Sequence, residues 1–297
     1  MKDLKPISYK DFINLKHKER EYVLKPILPV GGLMEIFSKS GYGKTTLSLS
    51  FAMAISTGST FLKWDAPKSR KTLYVDGEMS IHEMKERMEG AHRQFSQEYN
   101  NNFDILSADS MGNTLPDIAT IDGQQKFTSI IRDYDVVVLD NMSCLVWSGN
   151  ENDAESWRPI QRWLIQLRSL GKTVIMFHHA GKSGTSRGTS KRHDIIDTII
   201  KLDRPVDYKN EEGLNIQFSY EKCRSFVGKD ASTIGLKYKL VDGIAEWKAF
   251  DIVDEKLRDI VELDKKSLSQ SKIAEQLNLS QGEVSKRLKR AKEEGLV

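Results

Sequence analysis

The chain has 297 residues, of which 29 % are charged and 39 % hydrophobic, and its formal net charge is +3. This composition is typical of a folded, water-soluble protein. It excludes a disordered chain, a disulfide scaffold built on its two cysteines, and a membrane helix, which needs about 18 consecutive apolar residues. Met1–Pro6 lacks the apolar stretch of a signal peptide, so we expect a cytoplasmic protein without membrane association.

The first regular elements follow a polar lead-in segment. Residues 1–30 end in a stretch rich in proline and glycine, which argues against a regular element. The apolar run Leu33–Phe37 predicts a strand, and a glycine-containing turn follows it. Thr45–Ser56 is apolar enough for a largely buried helix, which should stop near Gly58.

The alternation of strand and helix continues to residue 177. Continuous apolar strands of this kind are buried on both faces of a parallel sheet. The pattern therefore predicts an α/β fold with a mostly parallel sheet flanked by helices, and with ligands at the carboxyl ends of the strands. The predicted strands are Thr72–Asp76, Val136–Leu139 and Thr173–Phe177, and the predicted helices are Ile81–Tyr99 and Trp157–Leu170.

The pattern changes after residue 180. A polar loop at 181–194 leads into the apolar segment Ile195–Leu202, and the predicted strands Asn215–Tyr220 and Ile234–Leu240 resemble hairpins at a sheet edge. Near Asp251 the chain becomes helical and basic. The predicted division is a lead-in segment of residues 1–30, an α/β domain of residues 31–250 and a small helical domain of residues 251–297.

The turn between the first predicted strand and helix has the residues of a phosphate-binding loop. Small residues let consecutive backbone N–H groups surround a phosphate, and the following helix offers the positive end of its dipole. Lys44 supplies a cation for the β- and γ-phosphates of ATP, and the Thr45 hydroxyl is expected to bind Mg²⁺. Ser38 stands where the usual pattern has its first glycine. The predicted ATP-binding residues here are Ser38, Ser40, Gly41, Tyr42, Gly43, Lys44, Thr45 and Thr46.

Acidic residues follow two other predicted strands. Asp140 ends an apolar strand, where P-loop ATPases place the carboxylate that holds Mg²⁺ through a water molecule. Glu78 lies just beyond an earlier strand, and a carboxylate there can orient and deprotonate the attacking water. Asp76 competes with Glu78 for that role, and either acid could instead cap the helix that begins near Ser80.

Two histidines follow the strand Thr173–Phe177. His178 or His179 could sense the γ-phosphate and signal to the adjacent loop, whereas a polar residue at a sheet rim is the simpler interpretation. We include His178 in the candidate catalytic set with Lys44, Glu78 and Asp140.

The C-terminal tail carries the excess positive charge, with eight Lys or Arg and five Asp or Glu from Asp264 to Val297. Ser269–Leu277 predicts a short helix, and a capping box at Ser280 and Glu283 opens a second, basic one. Two such helices joined by a tight turn form a helix-turn-helix, for which duplex DNA is the favoured ligand and a partner protein the alternative. The candidate DNA contacts are Lys286, Arg287, Lys289 and Arg290.

Taken in order, the motifs resemble those of RepA-like ATPases. They are the phosphate loop, Asp140, Glu151–Glu155, His178–Lys182 and Arg187–Ser190. These ATPases are RecA-superfamily proteins of plasmids and phages, related to the DnaB-type hexameric helicases. The resemblance covers residues 25–245 and implies a RecA-like P-loop core. It also implies a homo-oligomer, a ring-shaped hexamer that hydrolyses ATP at its subunit interfaces.

The resemblance implies two further sets of site residues. In related ring helicases a Lys-x-Arg element reaches the γ-phosphate of a neighbouring subunit, and Lys222-Cys223-Arg224 resembles that element. Arg187 is a second candidate, and a solvated strand end is the alternative interpretation of Lys222 and Arg224. The loop 181–194 is expected to line the channel and to contact single-stranded DNA. Its candidate DNA contacts are Lys182, Arg187, Lys191 and Arg192.

These features predict an ATP- and Mg²⁺-dependent DNA helicase, or helicase-like ATPase, of plasmid or phage replication. One alternative is an ATP-regulated protein that binds duplex DNA through its C-terminal domain without unwinding it. Another is a strand-exchange protein of the RecA type. Stimulation of hydrolysis by single-stranded DNA distinguishes a helicase from a regulator.

Overall fold

A computed structural model of the chain describes residues 5–16, 19–95, 98, 101–112, 114–148, 154–181, 190–205, 208, 209, 211, 213–252 and 255–293. The chain forms two compact units, residues 1–249 and 250–297. Among the helices in these ranges, none combines the length and the apolar character needed to cross a bilayer.

Up to residue 251 the chain alternates between strands and helices. The helices are α1 (Tyr9–Ile13), α2 (Lys44–Thr57), α3 (Ile81–Phe95), α4 (Ile121–Ile131), α5 (Met142–Leu145) and α6 (Ala154–Ser169). The strands are β1 (Tyr22–Leu24), β2 (Leu28–Pro29), β3 (Leu33–Ser38), β4 (Thr60–Phe61), β5 (Trp64–Asp65), β6 (Thr72–Asp76), β7 (Phe103–Ser107), β8 (Val136–Asp140), β9 (Thr173–His179), β10 (Thr198–Asp203), β11 (Leu214–Cys223), β12 (Ile234–Val241) and β13 (Ile244–Asp251).

A nine-stranded sheet forms the centre of the described part of the first unit, in the order β13-β12-β11-β10-β3-β9-β8-β6-β7. The strands from β10 to β7 in this order are parallel to their neighbours. β11 and β12 pair antiparallel at the other end of the sheet. This arrangement confirms the predicted α/β fold with a mostly parallel sheet flanked by helices.

Each face of the sheet has its own apolar core. Ile36 and Val138 belong to the core that contains α2, whereas their neighbours Phe37 and Val137 belong to the core that contains α4 and α6. This separation follows from the geometry of a strand, in which successive side chains point to opposite faces. Side chains on the α2 face at the carboxyl ends of the strands therefore lie next to the loop between β3 and α2.

Several elements are absent from the sequence prediction. α1, β1 and β2 lie within residues 1–30, where we expected no regular element, and β4, β5 and α5 are too short for a clear pattern. The others, β7, α4 and β13, have weak apolar patterns. β7 is an edge strand with a single fully buried residue, and α4 buries only Gly123, Phe127 and Ile131. β13 is mostly exposed. The predicted apolar segment from Ile195 also divides, because Ser190–Ile195 is a 3₁₀ turn and β10 begins after it.

The described residues of the second unit form three helices, α7 (Glu255–Lys265), α8 (Gln270–Gln276) and α9 (Gln281–Glu293). Val284, Leu288 and Ala291 on α9 are buried, as their spacing predicts. The predicted capping box is present. The Glu283 backbone N–H donates to Ser280 Oγ at 3.2 Å, and the Ser280 N–H donates to Glu283 Oε2 at 3.3 Å. Local sequence therefore sets where the basic helix begins.

Candidate nucleotide site

The loop between β3 and α2 has the backbone conformation of a phosphate-binding turn. Gly41 and Gly43 both have φ of +77°, a region that suits glycine and disfavours other residues. A Cβ atom at Gly43 would also lie 2.6 Å from the Leu214 side chain. Glycine therefore lets α2 begin at Lys44, where the free N–H groups of its first turn form a natural anion site.

A polar cavity of about 290 Å³ lies over this loop. A larger cavity of about 660 Å³ lies between α3 and β7, but Met, Ile and Phe side chains dominate its lining, which does not suit a triphosphate. We therefore place the nucleotide in the smaller cavity. Its lining residues are Ser40, Gly41, Gly43, Lys44, Thr45, Glu78, Met79, Glu83, Arg87, Asp140, Asn141 and His179.

Lys44 is held over the loop by several oxygen atoms. Its Nζ lies 3.3 Å from both the carbonyl and the hydroxyl of Ser38, and 3.2 Å from the Lys39 carbonyl. Ser38, which replaces a glycine of the usual pattern, is thus buried behind the lysine and not among the cavity-lining residues. Burial lowers the pKa of Lys44, while the charges of Asp140 and Glu78 raise it. A phosphate bound at the loop would add a negative charge that favours the protonated lysine.

Asp140 lies at the end of β8 and is only 3 % exposed. Its Oδ2 accepts hydrogen bonds from Tyr74 Oη at 2.5 Å and from Ser48 Oγ at 3.0 Å. Burial raises the pKa of Asp140, and hydrogen bonds from Tyr74, Ser48 and Thr45 lower it. Burial and the nearby Asp140 raise the pKa of Tyr74 well above its usual range, so the phenol keeps its proton and remains a donor.

The donors around Asp140 fit a magnesium ion. Mg²⁺ prefers hard oxygen ligands and usually takes one or two from the protein, with waters and phosphate oxygens completing the set. The Thr45 hydroxyl lies close enough to Asp140, beside the phosphate loop, to lower the pKa of its carboxyl. These two residues would hold the ion, as the sequence predicts.

The two candidate bases have different surroundings. Asp76 is 1 % exposed, accepts a hydrogen bond from the Met79 N–H at 3.1 Å, and has a pKa raised by burial to about 7. The Glu78 side chain is 55 % exposed, lines the cavity and accepts a hydrogen bond from Asn141 Nδ2. Glu78 is therefore the carboxylate that can reach a water molecule beside the phosphates, and Asp76 shapes the turn below it.

The histidine at the site is His179, which corrects our choice of His178. Lys44 Nζ lies 3.2 Å from His179 Nδ1, and His179 Nε2 lies 3.7 Å from Glu78 Oε2. His178 is 3 % exposed on the opposite face of the sheet, where its ring packs against Trp157 with centroids 6.2 Å apart. The reason is strand alternation, since adjacent residues of β9 point to opposite faces.

Lys222 and Arg224 do not meet the phosphate loop of their own chain. Cys223, between them, pairs with Thr198, and Thr198 pairs with Met34 near the start of β3. The phosphate loop follows the other end of that strand, four residues and roughly 13 Å further along at about 3.3 Å per residue. Within one subunit, Lys222 and Arg224 thus lie at the opposite end of the strands from the phosphate loop.

The candidate DNA contacts fall in two regions. Lys182 and Arg187 lie outside the described residues. Lys191 and Arg192 belong to the 3₁₀ turn Ser190–Ile195, of which only the backbone is described at these positions. On α9 of the second unit, the candidate contact Arg287 is partly buried. The other three are exposed: Lys286, Lys289 and Arg290.

Four residues close to the loop are absent from the sequence prediction. Ser48 and Asn141 have detectable signals, because one lies a helical turn after Thr45 and the other directly follows Asp140. Tyr74 and Arg204 have none, since they come from distant strands. The Arg204 guanidinium lies 4.9 Å from the ring of Tyr42 in the loop, and 4.0 Å from the ring of Tyr208.

Tyr42 and Thr46, both predicted to bind ATP, are not among the cavity-lining residues.

Comparisons with known proteins agree with this geometry. The family described as "AAA domain" matches residues 3–185, and the family described as "Winged helix-turn-helix DNA-binding" matches residues 260–297. No curated protein sequence matches the chain.

Two solved structures have a similar fold. The flagellar accessory protein FlaH from Methanocaldococcus jannaschii is 14 % identical with a TM-score of 0.51, and the match covers 74 % of this chain and 90 % of FlaH. The KaiC-like protein PH0186 from Pyrococcus horikoshii OT3 is 13 % identical with a TM-score of 0.52, and the match covers 76 % and 93 % of the two chains. At these identities the similarity concerns the fold alone.

Proposed function

The chain belongs to the AAA-domain family, with an AAA-type P-loop ATPase domain and a DNA-binding winged helix-turn-helix, and on this premise we propose that it is an ATP-driven DNA helicase or helicase-like ATPase of plasmid or phage-type replication. It acts in the cytoplasm as a homo-oligomeric ring, with six subunits as in the helicases that its motifs resemble. It hydrolyses ATP at the subunit interfaces and translocates on single-stranded DNA.

The observation that carries the proposal is the division of the candidate catalytic residues between opposite ends of the strands in the sheet. Lys44, Asp140 and Glu78 surround one cavity, whereas Arg224 lies at the opposite end of the strands in its own subunit. A complete phosphoryl-transfer site needs a cation for the charge that develops on the γ-phosphate. A neighbouring subunit that presents Arg224 to the cavity would supply that cation, with Lys222 beside it.

The residues of the cavity then have separate tasks. The first turn of α2 and Lys44 bind the β- and γ-phosphates. Mg²⁺, when held by Thr45 and Asp140, would offset charge on the phosphate oxygens. Glu78 orients the attacking water and accepts its proton. Lys44 has only donor protons, so His179 Nδ1 accepts from it, while His179 Nε2 lies 3.2 Å from Asn141 Nδ2 and 3.7 Å from Glu78 Oε2.

The DNA-binding residues are divided between the two units. The loop 181–194 contacts single-stranded DNA through phosphate oxygens, with Lys182, Arg187, Lys191 and Arg192 as the cations. The α9 helix, with its exposed lysines and arginine, brings the ring to duplex DNA. The exposed basic face of α9 also supports a second function, an ATP-regulated duplex-binding protein that does not unwind DNA.

Hydrolysis of ATP by the purified full chain, measured at one fixed salt concentration, tests the proposal. We expect strong stimulation by single-stranded DNA and weak stimulation by duplex DNA, with an unwinding assay as the next step. Lys44→Ala should abolish turnover, and Lys39→Ala, which removes the neighbouring lysine, serves as the matched control. Hydrolysis indifferent to single strands, together with duplex binding that requires residues 250–297, would favour the regulator.

A further inference from the structure

A buried tyrosine lies directly behind the proposed metal site. Tyr74 is in the middle of β6 and is 0 % exposed. The register of β6 with β8 places Tyr74 beside Val138 and Asp76 beside Asp140. Because residues two apart in a strand share a face, the Tyr74 ring and the Asp140 carboxylate both point toward α2. The length of the ring brings the phenol hydroxyl to the carboxylate.

Tyr74, Ser48 and Asp140 form a closed cluster of hydrogen-bonding groups. Tyr74 Oη lies 2.5 Å from Asp140 Oδ2 and 2.5 Å from Ser48 Oγ. Ser48 Oγ lies 3.0 Å from the same carboxylate oxygen and 2.8 Å from the Thr45 carbonyl. A hydroxyl has one proton, so Ser48 cannot donate to the carbonyl and to the carboxylate at once. The phenol of Tyr74 is therefore the principal donor to Asp140 Oδ2.

This donor matters because an aspartate carboxylate has no strong orientation of its own. The last torsion of an aspartate side chain has a broad energy minimum, so hydrogen bonds to its oxygens decide the direction of the carboxylate plane. Thr45, the other residue proposed to hold Mg²⁺, lies near the same carboxyl and lowers its pKa. Tyr74 thus orients the carboxylate without lining the nucleotide cavity.

We propose that Tyr74, supported by Ser48, is a positioning residue for the metal site: its hydrogen bond to Asp140 Oδ2 fixes the carboxylate in the orientation that holds the ion. The inference rests on the proposed ATPase function and adds a specific residue to it. Outer partners of a metal ligand set its orientation, and their loss typically weakens metal affinity by about 10- to 100-fold. The effect concerns the ion, because Tyr74 itself does not touch the nucleotide cavity.

The experiment measures metal binding separately from turnover. The full-length protein is saturated with a non-hydrolysable ATP analogue and titrated with Mn²⁺, which is followed by electron paramagnetic resonance. We expect Tyr74→Phe to weaken Mn²⁺ binding by about tenfold and to leave the affinity for the nucleotide in EDTA unchanged. Tyr220→Phe is the matched control. Tyr220 lies on the distant strand β11, and its phenol oxygen accepts a hydrogen bond from Trp64 Nε1 at 3.0 Å. Its replacement should leave the Mn²⁺ affinity unchanged.

A double-mutant cycle with Asp140→Asn distinguishes positioning from a general loss of packing. If Tyr74 acts through the carboxylate, Tyr74→Phe has no further effect on Mn²⁺ affinity in the Asp140→Asn protein. A Tyr74→Phe protein that folds and binds Mn²⁺ as tightly as wild type overturns the proposal. If that variant does not fold, Tyr74→Met, which also removes the hydroxyl and fills the core with a flexible side chain, replaces it, and wild-type Mn²⁺ affinity in Tyr74→Met has the same consequence. A wild-type protein that binds neither nucleotide nor Mn²⁺ contradicts the proposed function itself.

Discussion

Arg224 donates a hydrogen bond from Nη2 to the backbone carbonyl of Asp194, with the two atoms 2.7 Å apart. Its Nη1 lies 3.4 Å from Asp197 Oδ1, and Lys222 Nζ donates to the carbonyl of His193. Lys222 and Arg224, the candidates to reach a neighbouring γ-phosphate, thus both hold the turn that ends the loop 181–194. In the proposed ring, Arg224 would leave Asp194 to reach the γ-phosphate of a neighbour, so ATP binding and the conformation of this loop would be coupled.

The first prediction concerns the role of Arg224 in a neighbouring site. We expect Arg224→Ala to bind ATP normally and to lose hydrolysis by about 1,000-fold or more, the usual contribution of an arginine supplied in trans. The measurement compares nucleotide affinity with steady-state turnover. Arg162→Ala, which removes an exposed arginine of α6, is the control.

Mixing of variants tests whether this arginine acts between subunits. Lys44→Ala retains the arginine, and Arg224→Ala retains the phosphate loop, so a mixed assembly contains some complete interfaces. We expect the mixture to hydrolyse ATP although each variant alone is inactive. An inactive mixture that still forms mixed assemblies, or full activity of Arg224→Ala alone, would rule out the trans role.

The second prediction separates the two adjacent histidines. His179→Ala should slow hydrolysis on the order of 100-fold, the effect of removing one preorganised group from a transition state, with little change in stability. His178→Ala should instead lower the free energy of unfolding by about 2 kcal/mol, because its ring is buried against Trp157. Turnover and urea denaturation of both variants provide the comparison. The assignment fails if the two variants exchange these effects.

The third prediction is a pH dependence of stability that comes from Asp76. Burial raises its pKa from 3.8 to about 7 in the folded protein. Between pH 3.8 and about 7, the unfolded chain binds fewer protons than the folded chain. The stability that protonated Asp76 contributes below pH 3.8 is therefore lost as the pH rises toward 7. Asp76→Asn should therefore gain stability relative to wild type as pH increases from 4.5 to about 7.5.

Urea denaturation at several pH values measures this difference. Asp133→Asn, at an exposed position after α4, is the control and should show no such trend. The expected gain is an increasing difference in the denaturation midpoint between Asp76→Asn and wild type. A constant difference across this pH range would show that Asp76 ionises in the folded protein as it does in the unfolded chain.

The fourth prediction concerns duplex DNA and α9. Replacement of Lys286, Lys289 and Arg290 by alanine should weaken duplex binding and reduce the slope of log K against log salt by about one for each lost phosphate contact. Hydrolysis of ATP without DNA should remain unchanged, because the cavity lies in the first unit. Lys265→Ala with Lys266→Ala at the end of α7 is the control. Unaltered duplex affinity in the triple variant would favour a protein partner for this helix.

Much of the site could be predicted because its signals are local. Gly43, Lys44 and Thr45 are adjacent in a turn that only small residues can form, and Asp140 directly ends an apolar strand. Parallel strands bring their carboxyl ends to one edge of the sheet, so two local motifs suffice to place these residues together. The capping box of α9 is local in the same way, since Ser280 and Glu283 are three residues apart.

Only the tertiary structure decided which side chains face the nucleotide cavity. Strand alternation selects His179 over His178, but the face of β9 that meets α2 depends on packing between distant segments. Tyr74 reaches Asp140 through the register of two strands whose paired residues are 64 positions apart in sequence. The position of Arg224 depends on the order of strands in the sheet. The sequence by itself determined the chemistry of the phosphate loop, because that chemistry needs consecutive residues. Long-range pairing decided the rest, because the burial that drives it is not directional and does not identify a partner.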